Sequence, residues 1–117
     1  MNKRSCCPIA CTLDLLGDKW TLLVVRDMLL GRQTFKEFAA APEKIATNIL
    51  SDRLNRLVAS GLAEKTPLPD QPNRDAYRLT DKGKSLRKLI KSVSDWGLKN
   101  LPETEIRMKP IKKRRGS

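Results

Sequence analysis

Apolar residues return every three or four positions through most of this chain, and the rhythm breaks at Gly17, Gly31, Pro42, Gly61 and Pro102. Those breaks mark out helices. The first opens with Pro8, whose missing N–H costs nothing in a first turn, and stops at Gly17. Asp18 is placed to cap the second, KWTLLVVRDMLL, whose near-continuous apolar run suits a helix buried on most sides, and Gly31 ends it. In TFKE, Thr34 and Glu37 stand at the spacing of a capping box, so a short third helix begins there and stops before Pro42. A turn of Pro42, Glu43 and Lys44 follows. Thr47 is the expected N-cap of a fourth helix that runs to Gly61, with Leu50, Leu54, Leu57 and Val58 as its apolar stripe.

After Gly61 the period changes. Leu62 to Thr66 and Asp75 to Leu79 read as short strands, separated by a segment holding Pro67, Pro69, Pro72 and Asn73, which predicts a hairpin with a long, stiff loop. Thr80 and Asp81 cap a last helix that runs unbroken to Leu101, with Leu86, Leu89, Ile90, Val93 and Trp96 on one face, and Pro102 bounds it. Beyond it ETEIRMKPIKKRRGS has no periodicity and ends in a basic run, so residues 102–117 are expected to form a disordered basic tail on a single domain spanning 1–101. The class is mainly α with a small β-hairpin.

The fourth helix is unusual on the face opposite its apolar stripe. It carries Thr47, Asn48, Ser51, Asp52, Asn55 and Arg56, although short amides and hydroxyls are mediocre helix formers and a merely solvated helix is normally dressed in Lys and Glu. Asn and Arg can bond adenine and guanine edges in bidentate fashion, and Ser or Thr can bond bases or phosphates. A tight helix pair followed by a hairpin is the order of a winged helix-turn-helix, in which the second helix of the pair enters the major groove. Helical angle puts Asn48, Asp52 and Asn55 farthest from the stripe, with Ser51 and Arg56 beside them. Arg53 leans toward the core, as a phosphate clamp or a structural pair.

Charge strengthens that reading. The 117 residues hold 24 Lys and Arg against 13 Asp and Glu, a net +11 at pH 7 that points to a polyanionic partner, here double-stranded DNA. Lys44 and Lys65 bracket the reading helix, and Arg74 sits on the hairpin loop, where it could reach the minor groove or its phosphates. A winged-helix module that binds protein and never touches DNA is the alternative function.

Other classes lose support. Histidine is absent, which removes the commonest general base and metal ligand, so an enzyme is not expected. Cys6, Cys7 and Cys11 are an odd set with no Cys-x-x-Cys spacing and no evident fourth ligand for zinc, and neither cofactor nor metal is expected. No run approaches the ~20 apolar residues of a membrane span, and Asp14 interrupts the short apolar stretch near the N-terminus. A cytoplasmic, nucleoid-associated chain with reduced thiols is the expectation.

Several stretches together resemble the HxlR-type winged helix-turn-helix transcriptional regulators: CPIACTLDLLGDKWTLLVVRDMLLG, TFKEF, ILSDRLNRLVASGLAEK and YRLTDKG. The likeness covers about residues 6 to 98, with the Cys-Pro start, Gly17 to Trp20 and Leu79 to Gly83 as its most specific parts. It implies a bacterial, homodimeric DNA-binding regulator whose first and last helices, around Ile9 to Leu16 and Leu86 to Trp96, form the dimer interface. Val58 and Ala76 depart from the family's frequent acidic residues. The residues point the same way, because apolar stripes at both chain ends exceed what one small domain covers, and a twofold dimer sets two reading helices about one DNA turn apart. Trp96 fits core or interface equally. Cys7 holds the family's Cys-Pro position, which in some members senses oxidants. At a helix start with Lys3 and Arg4 upstream, its thiol pKa should be lowered, and Cys11 follows one turn later. The plainer reading makes these cysteines small apolar residues under the dimer helices.

Overall fold

The computed structural model describes residues 5–111. Helix α1 (Pro8–Leu16) begins with Pro8 in its first turn and ends at Gly17. Helix α2 (Thr21–Leu29) corrects an expectation: its N-cap is Trp20 and no side chain caps it, because Asp18 sits in the preceding turn, where Oδ2 accepts the backbone N–H groups of Trp20 and Thr21 at 3.1 and 3.2 Å and ties the turn that leads into the helix. Val24, Val25 and Met28 on this helix are buried. Helix α3 (Phe35–Ala39) forms with the full capping box: Glu37 N–H donates to Thr34 Oγ1 at 3.2 Å, and Glu37 Oε1 accepts the Thr34 N–H at 3.1 Å. It stops ahead of Pro42, and Phe38 is 1% exposed.

Helix α4 (Thr47–Ala59) buries Leu50, Leu54 and Leu57 almost completely. Its start corrects one expectation. Ala46 is the N-cap, Thr47 is the first helical residue, and no side chain caps the helix, because buried Ile45 fixes the chain just before it. Val58 is 36% exposed and lies outside the core stripe. The helix is left through Gly61, whose φ of 77° most side chains avoid.

Strands β1 (Ala63–Pro67) and β2 (Asp75–Leu79) pair antiparallel from Ala63 opposite Leu79 to Pro67 opposite Asp75. Ala76 is fully buried. Residue Gln33, just before α3, joins the hairpin's edge, its carbonyl accepting the Tyr77 N–H at 2.8 Å. The hairpin rests on α4 and α2, so the wing and the helix-turn-helix share one core of Leu16, Val24, Val25, Phe38, Leu50, Leu54 and Leu57.

The last helix is not continuous. Helix α5 (Asp81–Lys84) and helix α6 (Arg87–Asn100) are separated at Ser85 and Leu86. Thr80 locks α5 to the hairpin base, accepting the Gly83 N–H at 3.2 Å and donating to the Gly61 carbonyl at 2.6 Å. Gly83 also lies so close to β1 that a Cβ there would come within 2.0 Å of the Leu62 carbonyl oxygen. That close approach, invisible in the apolar stripe, holds α5 against the hairpin base just before α6 begins. Helix α6 has no fully buried residue, and its Leu89, Val93 and Trp96 are exposed, as are Ile9 and Leu13 on α1.

Residues 103–111 carry no helix or strand beyond a turn at Pro102 and Glu103, yet they do not simply hang from the domain. Ile111 N–H donates to the Leu30 carbonyl at 2.8 Å, and the Ile111 side chain lies against Gly31. The basic residues Lys112 to Arg115 fall outside the described residues.

Candidate nucleic-acid interface

With Leu50, Leu54 and Leu57 turned inward, α4 presents Thr47, Asn48, Ser51, Asp52, Asn55 and Arg56 to solvent. Among the described residues the side chains of Asn48, Ser51 and Asn55 take part in no hydrogen bond, so their donors and acceptors are uncommitted. The uncapped start of α4 adds the positive end of a helix dipole.

Arg53 is otherwise engaged. Its Nε donates to Asp18 Oδ2 at 2.8 Å, and Nη1 pairs with Asp52, so of its two expected roles the structural pair is the one present. Arg56 Nη1 stands 4.0 Å from the same Asp52 carboxylate, leaving that acid flanked by two guanidinium groups. Partial burial pushes the Asp18 carboxyl up, but hydrogen bonds from Thr21, Arg53 and the Trp20 amide, with the charge of Arg53, outweigh it and hold the pKa at about 2.

Lys44 is exposed in the turn between α3 and α4 and adopts a left-handed φ of 52°, its N–H donating to the Ala41 carbonyl at 3.0 Å. The turn is clamped from α2, where Arg26 donates to both oxygens of Glu43 at 2.9 and 2.8 Å. Neither Asp18 nor Arg26 stands out as a support of this face in the sequence, because their partners lie 35 and 17 residues away and leave no local spacing to detect.

On the wing, Arg74 is exposed near the end of the loop. Its carbonyl accepts the Leu68 N–H at 2.8 Å, its N–H donates to the Gln71 carbonyl at 2.9 Å, and its Nη1 donates to Gln71 Oε1 at 3.3 Å. Lys65, on β1, is less free than its exposure suggests: Nζ lies 3.4 Å from Asp75 Oδ2 and 5.9 Å from the centre of the Tyr77 ring. Tyr77 and Asp75 both push its ammonium pKa up.

Cys7 is the N-cap of α1 and is exposed. The backbone N–H groups of Ala10 and Ile9 pull its thiol pKa down, which is the expected helix-terminus effect. Lys3 and Arg4 lie outside the described residues. Cys11, half-buried, donates through Sγ to the Ser5 carbonyl at 3.2 Å, and Cys6 is exposed. Among the described residues no cluster of Cys, Asp or Glu could hold a metal ion, and no helix is long and apolar enough to cross a membrane.

The model of the HxlR-like helix-turn-helix family matches residues 15–105. The uncharacterized HTH-type transcriptional regulator YvaP of Bacillus subtilis (strain 168) is 36% identical over 97 residues, 82% of this chain and 90% of that protein. The crystal structure of PA1607 covers 97% of this chain and 84% of its own, at 34% identity and a TM-score of 0.80. The reduced form of HypR, a redox regulator, covers 82% and 95% respectively, at 28% identity and a TM-score of 0.74. The fold built above is theirs. This chain belongs to the HxlR-like helix-turn-helix family of transcriptional regulators, which are not enzymes.

Proposed function

We propose that this regulator acts in the cytoplasm, on the nucleoid, as a homodimer that reads double-stranded DNA with the exposed face of α4. The observation that carries the reading is the row of uncommitted Asn48, Ser51 and Asn55 on a helix whose other side is locked into the core. Thr47 and Arg56 extend that row, Lys44, Lys65 and Arg74 supply charge toward phosphates, and Arg53, flanked by Asp52 and tied to Asp18, holds the helix in place rather than reading bases. Dimerisation rests on the exposed Ile9 and Leu13 of α1 and Leu89, Val93 and Trp96 of α6, two apolar faces that α1 and α6 leave open to water. A protein-binding module without DNA contact gains no such support, since the α4 face is polar rather than apolar.

Thiol control is the second part of the proposal. Cys7 is an exposed N-cap with a lowered pKa on the same helix as Ile9 and Leu13, so its oxidation would act where the two protomers meet. The likeness to HypR, a redox regulator, supports it.

The test is titration of the protein into a duplex spanning its own upstream region and into a scrambled duplex of equal length, at several salt concentrations. Tighter binding to the upstream duplex is the expected result. Equal affinity for both would leave only nonspecific electrostatics, and no binding at low salt would remove DNA as the partner.

A further inference from the structure

A groove of about 450 Å³ lies between the end of α2, the wing and the start of α6, and none of its residues belongs to the DNA-reading set above. It is lopsided in charge. Arg32, Arg78, Lys84 and Arg87 line it against a single carboxylate, Glu64. Glu64 stands opposite Arg78 in the strand register, yet among the described residues no ion pair within 4.0 Å engages any of the four cations.

Two of these cations are also short of hydrogen bonds. Arg32 Nη1 and Arg78 Nε are buried without a partner, and Gln33 Oε1 beside them is buried and unpaired too. Burying a polar atom unpaired is costly, more so when it is charged, so the two guanidinium nitrogens mark a missing acceptor, and Gln33 Oε1 a missing donor. The backbone holding them is fixed. Arg32 N–H donates to the Asp27 carbonyl at 3.0 Å, Gln33 N–H to Glu37 Oε1 at 2.9 Å, and Arg78 belongs to β2. Arg87 opens α6, whose N-terminus has no side-chain cap, so the helix dipole adds to the positive field. Tyr77 and Leu79 give the groove an apolar side.

We propose that this groove binds a small-molecule oxyanion, a carboxylate or phosphate group on a compact apolar body. A guanidinium fork matches the paired oxygens of either group, and the volume lies within the roughly 300 to 1,000 Å³ of small-ligand sites. A duplex backbone suits the site less well, because phosphates on a rigid rod meet cations that project, whereas these nitrogens are recessed. An occupant would join β2 of the wing to the first turn of α6, and so couple the reading head to the exposed apolar face of that helix.

Direct binding to the protein alone tests this, independently of any DNA. Calorimetric titrations would use inorganic phosphate, benzoate and the uncharged benzamide against the full chain, its Arg32→Gln and Arg78→Gln variants, Arg78→Lys to keep the charge, and Lys99→Gln on α6 as a control outside the groove. Saturable binding of benzoate or phosphate is expected, weakened about tenfold or more by each Gln substitution, less by Arg78→Lys and not at all by Lys99→Gln. Preference for benzoate identifies a carboxylate ligand, and preference for phosphate a phosphorylated one. Thermal melts show which variants are folded, and Arg78→Lys carries the comparison if a Gln variant is not. Benzamide binding as tightly as benzoate, or no saturation below about 10 mM, overturns the proposal. So does a random duplex that loses affinity with the Gln variants while neither anion binds, since the cations would then serve the DNA backbone.

Discussion

Arg53 Nε donates to Asp18 Oδ2 at 2.8 Å and fastens the middle of α4 to the turn that starts α2. The same carboxylate accepts the Trp20 and Thr21 amides in the turn that leads into α2, so one acid ties the entry to α2 to the middle of α4. The carboxyl, at about 2 when folded, lies below its ordinary 3.8, so the folded state favours the ionised form. That stability is complete above about pH 4 and lost as pH falls through about 2. Asp18→Asn should cost about 1 to 2 kcal/mol at pH 7, allowing for partial solvent screening, and the gap to wild type should close near pH 2. Urea unfolding across pH measures it, and a gap independent of pH would refute the charge pairing.

Asn48→Ala and Asn55→Ala should each weaken specific DNA binding by roughly 1 to 3 kcal/mol while sparing nonspecific binding and stability, because neither side chain holds the fold. Arg53→Ala should behave differently, lowering the unfolding midpoint as well as affinity, since it breaks the tie to Asp18. Binding isotherms on operator and random duplexes separate the two behaviours. Equal loss on both duplexes for the Asn variants would remove them from base contact.

If the dimer neutralises on the order of 6 to 10 phosphates, log affinity should fall against log salt with a slope of about −5 to −9. Arg74→Ala should flatten it by about one or two units, one wing coming from each protomer. An unchanged slope would place Arg74 away from the duplex.

Lys44 pays a conformational cost at φ 52°. Lys44→Gly should therefore be about 1 kcal/mol more stable than Lys44→Ala, while both lose the same cationic contact and bind DNA alike. Equal stability of the two would show that the turn relaxes around residue 44.

Cys7 should alkylate faster than Cys6 or Cys11 at neutral pH, because the amides of Ala10 and Ile9 at the start of α1 lower its thiol pKa. Mass spectrometry of briefly alkylated protein gives the order. Operator binding before and after mild oxidant, in wild type and Cys7→Ser, then shows whether that reactivity is used. Identical loss in both proteins would make Cys7 structural.

Local chemistry was legible where cause and effect lie within a turn of each other. The Thr34–Glu37 box, the limits of β2 and the burial of Leu50, Leu54 and Leu57 all follow from spacing, and the exposed Asn48 and Asn55 follow from the same angles, whereas β1 runs one residue later than expected and takes in Pro67. What spacing could not reveal depends on distant chain. The break at Ser85 and Leu86 follows Gly83, placed where any Cβ would meet the Leu62 carbonyl, Ile111 is fastened by the Leu30 carbonyl, and the groove draws Arg32, Arg78 and Arg87 from separate segments. Thr47 has the right side chain for a cap but the wrong position, because buried Ile45 decides where the helix can start.

Helix α6 buries no residue fully within its own chain, and only Leu86 at its entrance and Ile90 pack against the core. Its apolar face gains little from intramolecular folding, so in the proposed dimer its order should be governed by mass action. At the micromolar concentrations of a melting experiment α6 should be covered by a second copy. At the nanomolar concentrations of a binding assay dilution strips that cover away, and the thermal midpoint should fall with protein concentration. DNA that engages both protomers would restore the pairing, so duplex binding should become cooperative in protein concentration as the free dimer dissociates.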